Sequence, residues 1–245
     1  ALPILFDHWP KSGWAFELKG KFHVKWAWNV RGSGWASTVP ASKWPIFAAH
    51  LQEAQRALEQ AWALDPTLED VAVGMITVSM GTSAPRPQME RWFQRAMALN
   101  TNSFHACRAK LLYLEPKWLG SPEAMLEFAR ECAASKTWGG QIPLIPVYAH
   151  EALTVYLKPE ERAGYWKSPE VWADLHAGYE RFFELNPKAV GWRQNYARHA
   201  YWCEQWDELN KQIALTGPVT YSFFGGKKEY EKMVQLAREH QPKKK

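Results

Sequence analysis

A helical pattern recurs along this chain with a period of 35 residues, and that recurrence limits the fold more than any other feature. Residues 50–66, HLQEAQRALEQAWALDP, align with residues 86–101, RPQMERWFQRAMALNT, so that Leu58 falls on Phe93 and Ala61 on Ala96. A further step reaches PEAMLEFARECAAS, where Ala124 falls under Met89 and Ala54, and Phe128 under Phe93 and Leu58. A fourth match, HAGYERFFELNP at 176–187, puts Tyr179 and Phe182 in the same roles. It arrives 51 residues after Phe128, which implies an inserted segment.

Other helices are expected between these. NSFHACRAKLLYL carries Phe104, Cys107, Leu111 and Leu114 at helical spacing, with Asn102 or Ser103 as its cap and Pro116 barring continuation past Glu115. LEDVAVGMITVSMG is rich in β-branched residues, yet its place between two repeat helices predicts a helix, because packing overrides propensity.

The recurring pattern is small, then large, then small, closed by Asn or Asp and Pro. It resembles the second helix of the tetratricopeptide repeat, best at Ala54, Leu58, Ala61 and Pro66. Thr101 stands where the proline is expected and Glu131 where the last small residue is expected. The usual Trp-Leu-Gly-Tyr pattern of the first helix is missing, so the repeats are degenerate. The predicted fold is all-α: a short right-handed solenoid of antiparallel helix pairs with an aromatic N-terminal cap. It is expected as one domain over 1–245, with the cap at 1–45, repeats at 46–135, an insertion at 136–168 and C-terminal repeats at 169–240.

In order, AWNVRGSGWASTV, LEQAWALDP, MITVSMG, MERWFQRAMA, ACRAKLLYLEPKWLGS and MLEFAREC also resemble a bacterial family of tetratricopeptide-like helical proteins classed as a domain of unknown function. The likeness runs over roughly residues 20–215, and PKWLGS is its most specific piece. The resemblance implies an all-helical fold and a secreted or periplasmic setting, and it brings no catalytic residues. The opening Ala1 fits a mature product after signal cleavage, a trimmed chain being the other option.

Composition narrows the functions. The formal charge of +5 leans on the tail Lys243, Lys244 and Lys245; without it 27 basic residues face 25 acidic ones, interspersed through most segments. A nucleic-acid binder carries a basic stripe instead, so no nucleic-acid partner is expected. No apolar run approaches the roughly 18 to 20 residues of a membrane span. RGSGWAS and FFGGKKEYEK lack the spacing of phosphate loops, there is no G-x-S-x-G, and Cys107, Cys132 and Cys203 form no metal spacing. No metal and no cofactor are expected. The cysteines fit buried apolar positions, with a Cys107 to Cys132 disulfide as the alternative.

Fifteen tryptophans are several times the ordinary share. Trp62, Trp92, Trp172 and Trp202 fall in helical register and are expected in the core. Trp26, Trp28, Trp35, Trp118, Trp138 and Trp192 lie in or beside predicted loops and are surface candidates, because flat apolar faces suit stacking on sugars. In NVRGSGW, Arg31 between Trp28 and Trp35 admits two roles: a cap that bonds carbonyls at a helix end, or a recognition loop for a carboxylate or sugar.

The leading functional expectation is a non-catalytic module that binds a protein segment or peptide in a concave groove. Its candidate wall comprises Arg31, Arg91, Arg95, Arg108, Lys110 and Lys117, with Trp35 and Trp118 at the edge. Against this, Arg91 and Arg95 would simply pair with Glu90 on a solvated face. The alternative is a secreted polysaccharide binder or carbohydrate-active enzyme, drawing carboxylates from Glu90, Glu115, Glu127 and Glu151. Among the histidines, His150 beside Glu151 is the first candidate for chemistry.

Overall fold

The computed structural model describes residues 8–240; the opening ALPILF and the lysines at 243–245 lie outside them. All regular structure among the described residues is helical, with 12 α-helices and no strand. None of these helices is long and apolar enough to cross a membrane. The chain divides after Phe128 into two compact units.

The first unit opens with α1, Gly13–Arg31, whose first turn is capped by the Ser12 hydroxyl accepting from the Ala15 amide. It packs along α2, Lys43–Leu64. The two approach closely at Gly20, where a Cβ would sit 2.5 Å from Leu58 Cγ, so no larger residue fits without moving Leu58. Helix α2 turns Phe47, Leu51, Ala54, Leu58 and Ala61 inward, steps of four and three that trace one face.

Helix α3 is Glu69–Gly81, the β-branched stretch, and it is helical as expected. It packs against α1, α2, α4 (Arg86–Leu99) and α5 (Phe104–Tyr113), so apolar residues all round its surface find neighbours. Ser103 caps α5 by accepting from the Ala106 amide, and Tyr113 donates to the Ala84 carbonyl at 2.8 Å. Glu69 accepts from Asn100 Nδ2 at 2.8 Å and from the Ser103 hydroxyl, tying the start of α3 to the α4–α5 turn. Leu58, Phe93 and Phe128 are all buried, as the repeat register requires.

Helix α6, Pro122–Ala134, contains the boundary between the units. The second unit continues with α7 (Ile145–Leu153), α8 (Pro159–Trp166), α9 (Pro169–Leu185), α10 (Trp192–Trp202), α11 (Trp206–Leu215) and α12 (Lys227–Glu239). Its core gathers Leu144, Val147, Trp166, Leu175, Tyr179, Phe182 and Tyr196. Tyr179 and Tyr196 stack with centroids 4.3 Å apart. The segment 136–168 therefore contributes core residues, since Leu144, Val147 and Trp166 all come from it. Cys107, Cys132 and Cys203 are buried, and none is joined in a disulfide in this structure.

Candidate functional site

Arg31 ends α1, where Gly32 at φ 78° turns the chain. Its Nη1 donates to the carbonyls of Gly32 and Gly34 at 3.0 and 3.1 Å. Its guanidinium carbon lies 4.8 Å from the Trp118 ring and 5.7 Å from those of Trp28 and Trp44. Burial pulls the guanidinium below its usual pKa. This is the geometry of a cap: the cation closes carbonyls at a helix end while indole faces screen it from water. Trp44 takes the place expected of Trp35, which stands exposed at the start of a 3₁₀ turn. Trp26 and Trp28 lie on α1 itself and not in the loop.

The other cations of the expected wall have separate engagements. Arg95 lies 4.3 Å over Trp92 and 5.2 Å from Trp62. Lys110 is buried, 2.8 Å from Glu90 Oε2, and Lys117 pairs with Glu115 at 2.7 Å. Arg86, not Arg91 or Arg95, makes the second pair to Glu90, at 3.3 Å. Arg91 is exposed on α4, Arg108 is half-buried on α5, and Glu127 is exposed on α6. Arg31 and Trp118 are thus brought together directly, while Arg95, Lys110 and Lys117 each turn to a partner of their own. Arg130 Nε donates to both oxygens of Asp174, at 2.8 and 3.1 Å.

His150 is 1% exposed. Its Nδ1 lies 2.7 Å from the Tyr165 hydroxyl and its Nε2 3.2 Å from Asp174 Oδ2. Burial raises the Asp174 carboxyl, but hydrogen bonds from His150 and Arg130 outweigh it and hold the group below the usual carboxylate range. Burial, with the nearby Asp174 charge, pushes the Tyr165 phenol up to about 12. The network centres on the buried His150 and ties α7, α8 and α9 together.

Two features face solvent instead. On α1, Trp14, Leu18, Phe22 and Trp26 repeat every four residues and are 63, 44, 41 and 47% exposed. The opposite face of the helix supplies small buried contacts, Gly13, Gly20 and Ala27. A row of large apolar side chains left in water on one helix marks an interaction face more often than scattered single residues do. Lys11 and Lys25 are exposed beside it.

The second feature is a pocket of about 560 Å³ within the second unit, walled by Tyr148, Trp192 and Phe223, with Glu151, Asn195 and Arg198 as polar groups. Glu151 Oε1 accepts from Arg198 Nη2 at 3.1 Å. Behind it, His199 Nδ1 lies 2.8 Å from the Asn195 carbonyl and 3.0 Å from the Tyr179 hydroxyl, while Nε2 faces Glu151 Oε1 at 3.4 Å. His199 and Arg198 follow no motif; only their place on a helix flanking the Glu151 helix brings them in.

Comparison of the chain with family models, with curated proteins and with solved structures gives no match.

Proposed function

We propose that the protein is a non-catalytic interaction module built from degenerate tetratricopeptide-like helix pairs, whose α1 face binds a protein segment. The exposed row Trp14, Leu18, Phe22 and Trp26 carries this reading. Such a row suits the apolar side of an amphipathic peptide, and the flanking Lys11 and Lys25 suit acidic residues beside it. The repeat assignment draws support from the packing order of the first unit, in which α1, α3 and α5 contact one another in succession while α2 and α4 pack onto them. A short right-handed solenoid, membership of the bacterial family named above and a secreted or periplasmic setting belong to the same proposal.

Selection from a displayed random-peptide library tests the reading. Enriched peptides are expected to combine helical apolar spacing with acidic flanks, and to lose binding to a Trp14→Glu, Phe22→Glu variant whose helical spectrum is unchanged. No enrichment, or equal binding to that variant, defeats the proposal.

One observation favours a second reading, a polysaccharide ligand: the aromatic walls and the Glu151–Arg198 pair of the second unit's pocket match the mixture of stacking and polar contacts that sugars require. Among the described residues lining it, Glu151 supplies the carboxylate, whereas glycoside cleavage draws on a pair, so binding is the activity that fits. Glycan-array binding abolished by Trp192→Ala, with peptide binding absent, would establish this reading in place of the first.

A further inference from the structure

The second unit also holds a nitrogen and oxygen donor set that no sequence spacing announces. His176 and Glu180 stand one turn apart on α9, and Glu208 lies in the first turn of α11. One ring nitrogen of His176 and one carboxylate oxygen from each glutamate lie within 4.8 Å of one another, and all three residues are half-buried. Tetrahedral coordination at about 2.1 Å sets ligand atoms roughly 3.4 Å apart, a contraction that small side-chain rotations supply.

The surroundings fix these donors. The buried Tyr196 hydroxyl donates to Glu180 Oε1 at 3.2 Å and meets His176 Nδ1. Trp172 stacks on the His176 ring with centroids 5.2 Å apart. Gln212 Nε2 donates to Glu208 Oε1 at 2.6 Å, and Gln212 is itself held by Arg193 at 2.9 Å. Metal sites are built in this way, with outer groups orienting each ligand.

A cation already stands at the two carboxylates. Lys211 Nζ lies 3.1 Å from Glu208 Oε1 and 3.6 Å from Glu180 Oε1, on a side chain 49% exposed and so able to swing away. His176 and Glu208 open onto a cleft of about 580 Å³ that also carries Glu204 and Asp207, which leaves the position open to solvent and adds negative charge. A neutral imidazole with two carboxylates matches the charge of a divalent ion.

We propose that His176, Glu180 and Glu208 bind one divalent first-row metal ion, displacing the Lys211 ammonium. The mixed imidazole and carboxylate set favours Zn²⁺ over Mn²⁺.

Calorimetric titration of Zn²⁺ into chelator-treated full chain is expected to report one site, with Mn²⁺ binding more weakly. Glu208→Gln and His176→Ala should each weaken Zn²⁺ by roughly 100-fold. Lys211→Met should tighten it by roughly threefold or more, because a competing charge is removed. That substitution lies on an exposed side chain, so its result stands even where a ligand variant folds poorly. His50→Ala serves as the comparison, since His23 and His50 form another close imidazole pair, and it should change nothing. Zn²⁺ binding that survives Glu208→Gln, that is lost with His50→Ala, or that does not tighten with Lys211→Met overturns the proposal.

Discussion

Phe93 and Phe128 meet edge to face, with ring centroids 5.5 Å apart and planes at 87°. The Lys110 ammonium lies over both rings, 4.3 and 4.4 Å from their centroids. Two residues 35 apart in the sequence thus touch directly, so each aromatic fills space that its neighbour leaves. Phe93→Ala empties the centre of this contact and is expected to cost about 3–5 kcal/mol. Urea unfolding followed by circular dichroism measures it, and a loss under about 1 kcal/mol would remove Phe93 from the core.

Lys110 combines two contributions that substitution can separate. The end of the side chain lies over the rings, and its charge meets Glu90 at 2.8 Å. Glu90 also receives Arg86 at 3.3 Å and is partly exposed, so removing the lysine does not strand a bare buried charge. Lys110→Ala is expected to destabilise by about 2 kcal/mol and Lys110→Met by less than about 1 kcal/mol, because methionine retains the ring contacts. Equal losses in the two variants would assign the whole effect to charge.

The register of Leu58, Phe93 and Phe128 is legible in the sequence because burial at fixed intervals leaves a periodic trace. So is the helical state of Glu69–Gly81, which follows from its neighbours and not from its own propensity. The α1 face is not. Apolar residues at every fourth position ordinarily signal burial, and what places Trp14, Leu18, Phe22 and Trp26 outward is that Gly13, Gly20 and Ala27 on the other side are small enough for α2 to come close. Cations are legible as cations but not as partners: Arg95 faces indoles and Lys110 faces Glu90, pairings fixed by tertiary contacts. His176, Glu180 and Glu208 join two helices, and such a set has no signature in spacing.

The Arg31 cap makes a prediction that fluorescence can read. Arg31→Ala removes two bonds to carbonyls and uncovers the faces of Trp28 and Trp118, with an expected cost of about 2–3 kcal/mol and a red-shifted emission. Arg31→Lys should recover less than half of that, since an ammonium cannot stack as a plane on the indole faces. Full recovery by lysine would mean that charge alone matters at this helix end.

His23 and His50 place their Nδ1 atoms 2.8 Å apart between α1 and α2, so one ring donates and the other accepts, and both cannot be protonated there without repulsion. Burial lowers the His23 pKa, the His50 charge and Lys19 lower it further, and Glu53 opposes them. Lys19 and Glu53 are themselves 3.7 Å apart, and Trp26 lies against His50 with centroids 5.5 Å apart. A histidine whose folded pKa lies below its unfolded value of about 6.5 binds fewer protons when folded, so stability is complete above that pH and declines as the pH falls through and below it. The melting temperature is therefore expected to drop between pH 7.5 and pH 5 more steeply in the wild type than in His50→Gln, whose amide still offers His23 a hydrogen-bond partner but takes up no proton. Because the remaining histidines titrate in both proteins, the difference between the two slopes belongs to this pair, and identical slopes would show that α1 and α2 separate without regard to its charge.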